Sequence, residues 1–369
     1  LGGIGRGGHG LGGAWPDGTE GRQGIRGFFH CIRKIGRAIT FSPLSTRSRI
    51  GFSLDGGALH RCRVLATGDP GPEENAMEQS AEKLGMGWLP DYPDFRDYTA
   101  DEKRSVKPML VKVGVTRQTK AKLPASADLK PWCSPVENQG AIGSCTANAA
   151  AGMVEYFERR AFGKHLDASR LFLYKATRNL LHWKGDTGAF LRSTMGALVL
   201  FGVPPEEYWP YETDKYDQEP PAFCYAFAQS YQAISYYRLD PPGTAPGSLM
   251  TAIKTNLAAG LPAIFGFTVY GSHTQAAKTG MIPFPATGEK VVGGHAVLAV
   301  GYDDGLKIKN ASPKSVETKG ALLIRNSWGA GWGAGGYGWL PYDYVLKGQA
   351  VDWWSLVKNE WIDTGAFEL

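Results

Sequence analysis

Helical periodicity marks the first half of the folded part of this chain. One face of an α-helix is predicted by the apolar positions Ala149, Ala150, Met153, Val154, Phe157 and Ala161. Gly163 follows these positions and predicts the end of that helix. Residues 169–180 and 191–201 show the pattern of two further helices, and Gly202 ends the second.

The second half is dominated by short β-type runs. Residues 263–269, 295–302, 320–326 and 337–342 are rich in apolar and β-branched side chains and are bounded by Gly, Pro and Asp. Helices first and strands later predict an α+β protein whose two halves meet at a cleft.

The first 76 residues have a different character. They are rich in Gly and Arg and show no sustained periodicity. Two interpretations are open: a basic arm for nucleic acid, or a disordered or non-native leader. We favour the leader, with Met77 as a hypothetical start.

Charge does not favour nucleic-acid binding by the rest of the chain. The 369 residues carry a net charge of +5, but residues 1–70 alone hold ten Lys or Arg against four Asp or Glu. The remainder therefore holds 30 basic and 31 acidic residues and is nearly neutral. No apolar run reaches the roughly 18 to 20 residues of a membrane span, so we expect a soluble monomer of unassigned compartment.

Residues 77–122 form a segment before the globular body, which starts at residue 123. The stretch from Met86 to Tyr98 contains four aromatic residues, Trp88, Tyr92, Phe95 and Tyr98, and its prolines predict an extended conformation. Aromatic side chains in water forgo hydrophobic stabilisation, so we expect all four aromatic residues to dock on the body. Residues 101–121 are predicted to be a polar, basic connector.

Five cysteines are too few for a disulfide scaffold. Cys133 and Cys224 could pair or could be two inert buried thiols, and we favour the thiols. Near the C-terminus, Trp353, Trp354 and Trp361 are expected to belong to the core.

The strongest chemical signal is a cysteine at the predicted helix start. The positive helix end favours the thiolate of Cys145, which would make it a usable nucleophile. Such a nucleophile needs a proton donor for the leaving group, and histidine is the natural choice. His295 follows two glycines and opens an apolar strand, while Asn326 ends another strand and could accept from the imidazole.

Three stretches, residues 139–148, 294–296 and 326–337, together resemble the papain/cathepsin family of cysteine proteases. The resemblance covers roughly residues 123–350, and its features are more similar to bacterial members than to lysosomal ones. It implies a two-lobed fold, with a helical left lobe over residues 123–235 and a β-barrel-like right lobe over residues 236–369. The active site would lie between the lobes and would need no metal or cofactor.

The resemblance also implies residue roles. Cys145 would be the nucleophile, and His295 the general acid/base. Asn326 would orient His295, with Trp328 covering their hydrogen bond, and Gln139 would donate to the oxyanion. The implied substrate-binding residues are Gly188, Ala189, Gly294 and Trp328.

Two departures from the family pattern are present. Ile142 stands where the family usually has a cysteine, and its disulfide partner near residue 185 is also missing. Thr146 replaces the usual aromatic residue after the nucleophile.

The sequence thus predicts a cysteine-type peptidase that hydrolyses peptide or protein substrates through an acyl-enzyme thioester. One alternative is a transglutaminase-like acyl-transfer enzyme, which would usually have Asp in place of Asn326. Another is an inactive binding module that keeps the fold. We further hypothesise that residues 77–121 cover part of the cleft and restrain access to Cys145; the alternative is that they pack elsewhere.

Overall fold

The computed structural model describes residues 84–115, 123–231, 235–313 and 315–367. The predicted leader and the hypothetical start at Met77 lie outside these ranges. The helices are α1 (Val106–Lys112), α2 (Cys145–Phe162), α3 (Arg170–Leu180), α4 (Leu191–Phe201), α5 (Ala222–Ala228), α6 (Pro246–Ala258), α7 (Tyr342–Leu346) and α8 (Asn359–Ile362). The strands are β1 (Ser126–Asp128), β2 (Ser235–Arg238), β3 (Ala263–Tyr270), β4 (Val291–Ile308), β5 (Thr318–Arg325), β6 (Tyr337–Pro341) and β7 (Ala350–Val357).

The three helices predicted in the first half are confirmed as α2, α3 and α4. Gly163 adopts a left-handed conformation with φ 65° and ends α2, since a side chain is disfavoured there. Ser169 caps α3, because its hydroxyl accepts a hydrogen bond from the backbone N–H of Phe172. Gly202, with φ 74°, ends α4.

The predicted strands join one antiparallel sheet. Its order is β2–β7–β3–β4–β5–β6, and β1 pairs with β4 as well. The α+β class is confirmed. The second half is not a closed barrel, however, because β2 and β6 end the sheet at opposite edges. Strand β4 is longer than predicted and pairs with both β3 and β5, which places His295 in the middle of the sheet.

The contact between helix and sheet determines where the reactive side chains meet. The N-terminus of α2 packs against β4, so that Cys145 lies beside Ala296, the residue after His295. Both Cys145 and His295 are fully buried.

The prediction of a polar connector over residues 101–121 is wrong for α1. Val106, Met109 and Leu110 are buried on one face of this helix, and Val113 is buried just after it. The helix packs against α8 and β2. Its apolar positions follow the helical period, so α1 is part of the core.

The expectation that every aromatic side chain of residues 86–98 docks on the body is also wrong. Trp88 is buried, but Tyr92 and Phe95 are 89% and 92% exposed, and Tyr98 is 54% exposed. One side chain therefore anchors this stretch, and the following loop projects into solvent.

Tryptophans near the C-terminus are core residues, as predicted. Trp353 stacks on Phe265 with ring centroids 3.9 Å apart, and Trp361 stacks on Phe157 at 4.7 Å. Cys133 and Cys224 are buried and unpaired, as we favoured from the sequence. Within the described ranges, no helix has both the length and the apolarity needed to cross a bilayer.

Candidate active site

The Cys145 thiol lies at the first residue of α2 and is closed off from solvent. Its Sγ accepts a hydrogen bond from the backbone N–H of Ala296 at 3.4 Å. Burial raises the pKa of Cys145 to about 12, and the backbone N–H groups of Ala296 and Trp88 offset only part of that effect. The helix start therefore does not produce a thiolate in this closed arrangement.

The His295 ring is held on two sides. Its Nε2 lies 2.8 Å from Oδ1 of Asn326, and the same oxygen accepts the backbone N–H of Ser327 at 2.8 Å. Because that oxygen acts as an acceptor, Nε2 carries the hydrogen. The indole of Trp328 stacks on the imidazole with centroids 4.5 Å apart and shields the Asn326 contact.

This tautomer leaves the lone pair of His295 on Nδ1, which has no hydrogen-bond partner among the described residues. Burial lowers the pKa of His295 to about 4, against the opposing effect of the Asn326 hydrogen bond. The closed site therefore holds a neutral thiol and a neutral imidazole.

Gln139 is buried, and Ser327 orients its side-chain amide. The Ser327 hydroxyl donates to Oε1 of Gln139 at 2.5 Å, and the backbone N–H of Gln139 donates to the carbonyl of Ser327 at 2.8 Å. Nε2 is thereby directed toward the start of α2, where it donates to the carbonyl of Ile142 at 2.9 Å. The sequence did not identify Ser327 as a positioning residue.

The expected substrate-binding residues contact another part of the chain itself. Residues 84–90, which we call the cleft segment, run through the site. Ala189 donates to the carbonyl of Gly87 at 2.9 Å and accepts from the N–H of Leu89 at 3.1 Å. The carbonyl of Gly294 accepts from the N–H groups of Gly87 and Trp88 at 3.2 and 3.3 Å.

The cleft segment also reaches the other side of Cys145. Gly85 donates to the carbonyl of Gly140 at 2.9 Å, and its own carbonyl accepts the indole N–H of Trp328 at 2.9 Å. A Cβ atom at Gly85 would lie 2.4 Å from the carbonyl oxygen of Ile142, so only glycine fits at this point. The segment thus passes from the Gln139–Trp328 side to the Ala189 side and covers the thiol between them.

Ion pairs secure the loop that follows the cleft segment. Arg192 of α4 pairs with Asp91 and, at 2.8 Å, with Asp97, and it donates to the carbonyl of Tyr92 at 2.7 Å. Arg238 of β2 lies 3.5 Å from Asp97. Both ends of the exposed loop are therefore attached to the body, a contact that the sequence did not predict.

One group of carboxylates has spacing compatible with a metal ion. Oxygens of Glu137, Glu155 and Asp167 lie within 4.8 Å of one another. However, Arg170 pairs with Glu137 at 2.9 Å, and Arg325 lies 3.8 Å from Glu155. Guanidinium groups thus compensate this cluster, although burial still raises the pKa of Glu137 to about 8.

Comparison with known proteins decides the family. The sequence model of the papain family of cysteine proteases matches residues 123–362, about two thirds of the chain. The chain belongs to the papain family of cysteine proteases. As a papain-family member it is a cysteine-type peptidase, a hydrolase that acts on peptide substrates, which disfavours the acyl-transfer and binding-module alternatives.

Relatives from several sources resemble this papain-family protease. A peptidase C1-like protein of Acanthamoeba polyphaga mimivirus is 31% identical over 292 residues, which cover 76% of this chain and 89% of the viral protein. The crystal structure of xylellain, a cysteine protease from Xylella fastidiosa, has a TM-score of 0.60 at 32% identity, covering 76% of this chain and 99% of xylellain. Papain of Carica papaya is 27% identical over 206 residues, which cover 55% of this chain and 50% of the papain sequence.

Proposed function

We propose that this protease hydrolyses peptide bonds with Cys145 as nucleophile, His295 as general acid/base and Asn326 as the group that orients the imidazole. The observation that carries the proposal is the contact set at Cys145 and His295. The thiol accepts a backbone N–H from the residue next to His295, and the imidazole is held by Asn326 at 2.8 Å and by the stacked Trp328 ring. The unpartnered Nδ1 of His295 is free to take the thiol proton.

The reaction then follows from these positions. Transfer of the thiol proton to Nδ1 gives a thiolate and an imidazolium, and the thiolate attacks the carbonyl carbon of the peptide. The imidazolium gives its proton to the leaving amine, which breaks the C–N bond and leaves a thioester on Cys145. A water molecule, deprotonated by His295, attacks the thioester and releases the carboxylic acid and the thiol.

The developing oxyanion needs hydrogen-bond donors. We assign this role to Nε2 of Gln139 and the backbone N–H of Cys145. Ser327 supports the assignment, because it holds the amide of Gln139 in one orientation. Loss of one such donor typically lowers the rate by on the order of 10²–10³.

We further propose that the cleft segment keeps the enzyme latent. Its hydrogen bonds to Ala189, Gly294 and Trp328 occupy groups that a substrate would need. It also buries Cys145 and His295, and burial stabilises their neutral forms. Departure of the segment would hydrate both side chains and favour the thiolate–imidazolium pair.

The test is peptide hydrolysis by the chain lacking residues 1–90, which serves as the unaltered chain in this comparison because the cleft segment is removed, and by single variants of it, with a fluorogenic peptide as substrate. Cys145→Ala and His295→Ala should abolish turnover, because the groups act together. Asn326→Ala should retain a fraction of the activity, since Asn326 only orients the ring. Cys133→Ala is the matched control: it also removes a buried thiol but should keep turnover. Turnover by Cys145→Ala similar to that of the unaltered chain would contradict the proposal.

A further inference from the structure

Two loops meet beside Cys145 without a covalent link between them. The first, residues 139–144, leads into α2, and the second, residues 181–190, joins α3 to α4. The disulfide that is usual in the family would join these two loops. Here Ile142 stands at one of its positions, and residues 181–190 contain no cysteine at all. Hydrogen bonds join the two loops instead.

Asp186 supplies the link between the loops. Its Oδ1 accepts the backbone N–H of Gly143 at 2.8 Å and the hydroxyl of Tyr174 at 2.6 Å. Gly143 directly follows Ile142, so this hydrogen bond connects the loops within one residue of where the disulfide would connect them. Because Gly143 is buried, its N–H needs an acceptor from the protein.

Tyr174 of α3 extends the network to the residues that contact the cleft segment. Its hydroxyl donates to Asp186 and accepts the backbone N–H of Gly188 at 3.1 Å. Burial and the hydrogen bond to Asp186 raise the pKa of Tyr174, so the hydroxyl keeps the proton that it donates. A Cβ atom at Gly143 would lie 3.2 Å from the backbone nitrogen of Gly188, which shows how closely the two loops pack.

The body of the protein fixes the 181–190 loop without help from Asp186. Arg178 of α3, which is fully buried, donates to the carbonyl of Gly185 at 2.5 Å and pairs with Asp217 at 2.8 Å. Asp217 in turn accepts the backbone N–H of Gly185 at 3.0 Å. Asp186 therefore extends from an anchored loop and holds the 139–144 loop against it.

We propose that Asp186 is a positioning residue that replaces the missing disulfide and holds the oxyanion donors of the protease in place. The inference rests on the proposed function, in which Nε2 of Gln139 and the N–H of Cys145 are these donors. Gly143 lies two residues before Cys145. It also follows Ile142, whose carbonyl accepts Nε2 of Gln139. A shift of Gly143 therefore moves both donors, and a misplacement of roughly 1 Å costs about 10² in rate.

Hydrogen exchange of backbone amides in the full chain, followed by NMR, tests the network without any need for catalysis. In Asp186→Ala the amide of Gly143 should exchange at least about tenfold faster than in the unaltered chain, because its acceptor is lost. Asp186→Asn retains an oxygen acceptor and should keep the slow exchange. Exchange of Gly143 that is unaffected by Asp186→Ala would overturn the proposal.

Tyr174→Phe tests the other end of the network. It removes the acceptor of Gly188 and one of the two donors that hold the Asp186 carboxylate. The amide of Gly188 should exchange at least about tenfold faster in this variant. If Asp186→Ala does not fold, Tyr174→Phe decides, and unchanged exchange at both Gly143 and Gly188 would overturn the proposal.

The turnover number tests the role in catalysis. It is measured on the chain lacking residues 1–90, in which the cleft segment does not cover Cys145. Asp186→Ala should lower kcat at least about tenfold, and Asp186→Asn should keep kcat within about threefold of the unaltered value. Thr187→Ala is the matched control and should keep kcat, because the Thr187 hydroxyl donates to the carbonyl of Gly188 within its own loop. If the shortened chain does not fold, the exchange rates of the full chain decide.

The outcomes separate this role from the proposed function. A kcat unchanged by Asp186→Ala would overturn the role of Asp186 and leave the proposed function intact. A loss of kcat that Asp186→Asn does not share would support the role, because a general loss of stability would not distinguish the acceptor oxygen. Turnover retained by Cys145→Ala would contradict the proposed function and, with it, the role of Asp186.

Discussion

The charge state of His295 shows how far burial can outweigh a favourable hydrogen bond. Asn326 accepts from Nε2 and favours the protonated ring, yet burial lowers the pKa to about 4. The neutral pair with Cys145 is therefore a property of the closed site. In solvent, an imidazole has a pKa near 6.5, so exposure alone moves His295 toward the charged form that the proposed mechanism requires.

The lowered pKa of His295 predicts a pH-dependent contribution to the free energy of unfolding. Between about pH 6.5 and pH 4 the unfolded chain takes up a proton on His295 that the folded chain does not. The free energy of unfolding should therefore fall as pH is lowered through this window, with a contribution on the order of 3 kcal/mol from His295. His295→Gln lacks a titrating ring and should lose that contribution.

Urea unfolding of the unaltered chain and of His295→Gln, at pH 7 and at pH 4.5, measures the contribution of His295. The stability of the unaltered chain relative to His295→Gln should decrease at the lower pH. Burial raises the pKa of Asp352 to about 6, which acts in the opposite direction, but it does so in both chains and cancels. A difference that stays constant with pH would show that His295 titrates normally in the folded chain.

Two elements of the N-terminal part have separate tasks. The cleft segment contacts the site residues, whereas α1 contributes Val106, Met109 and Leu110 to the core. The exposed loop between them carries Tyr92 and Phe95 in solvent. The cleft segment could therefore leave while α1 stays in place.

Substitutions on opposite faces of α1 test its part in the core. Leu110→Ala should lower the free energy of unfolding by about 2–5 kcal/mol, because it creates a cavity at a buried position. Val111→Ala is the matched control on the same helix, since Val111 is 47% exposed, and its effect should stay within about 0.5 kcal/mol. Chemical denaturation measures both. Equal small effects would mean that α1 is dispensable for the fold.

Arg192 should control how often the cleft segment opens. It pairs with Asp91 and Asp97 at the two ends of the exposed loop. Arg192→Gln should therefore raise turnover of a small fluorogenic peptide several-fold at low salt, and added salt should raise turnover of the unaltered chain in the same direction. Arg96→Gln is the control, because Arg96 pairs with Asp94 within the loop itself. Turnover unaffected by Arg192→Gln would show that these ion pairs do not restrain the segment.

Local pattern predicted much of this architecture. The apolar period and Gly163 predicted α2, and Gly202 predicted the end of α4, because these signals depend on neighbours in sequence. The sequence did not predict that Trp88 is buried while Tyr92 is exposed. Their chemistry is similar, and only the pocket left by Gly266 distinguishes them.

Tertiary context also explains the remaining differences. Asp352 of β7 has a left-handed backbone with φ 62°, and its N–H donates to the carboxylate of Asp240, which lies more than a hundred positions earlier in the chain. Likewise, burial of Cys145 raises its thiol pKa and outweighs the effect of the helix start. Neither effect could be derived from neighbouring residues.

At the scale of the whole molecule, the cleft segment of this protease covers its proposed nucleophile, Cys145. Removal of the cleft segment must leave α1 behind, so the informative truncation deletes residues 1–90 and keeps residues 91–369. Deletion through residue 121 would also remove the buried face of α1 and should reduce the yield of folded protein.

The most direct test is the rate at which an epoxide inhibitor of thiol proteases labels the full chain and the chain lacking residues 1–90, followed by mass spectrometry of the peptides. We expect a single adduct on Cys145, formed at least about tenfold faster in the truncated chain. Equal rates in two folded proteins would contradict the proposed covering of the thiol. An adduct on Cys133 or Cys224 in place of Cys145 would contradict the proposed nucleophile.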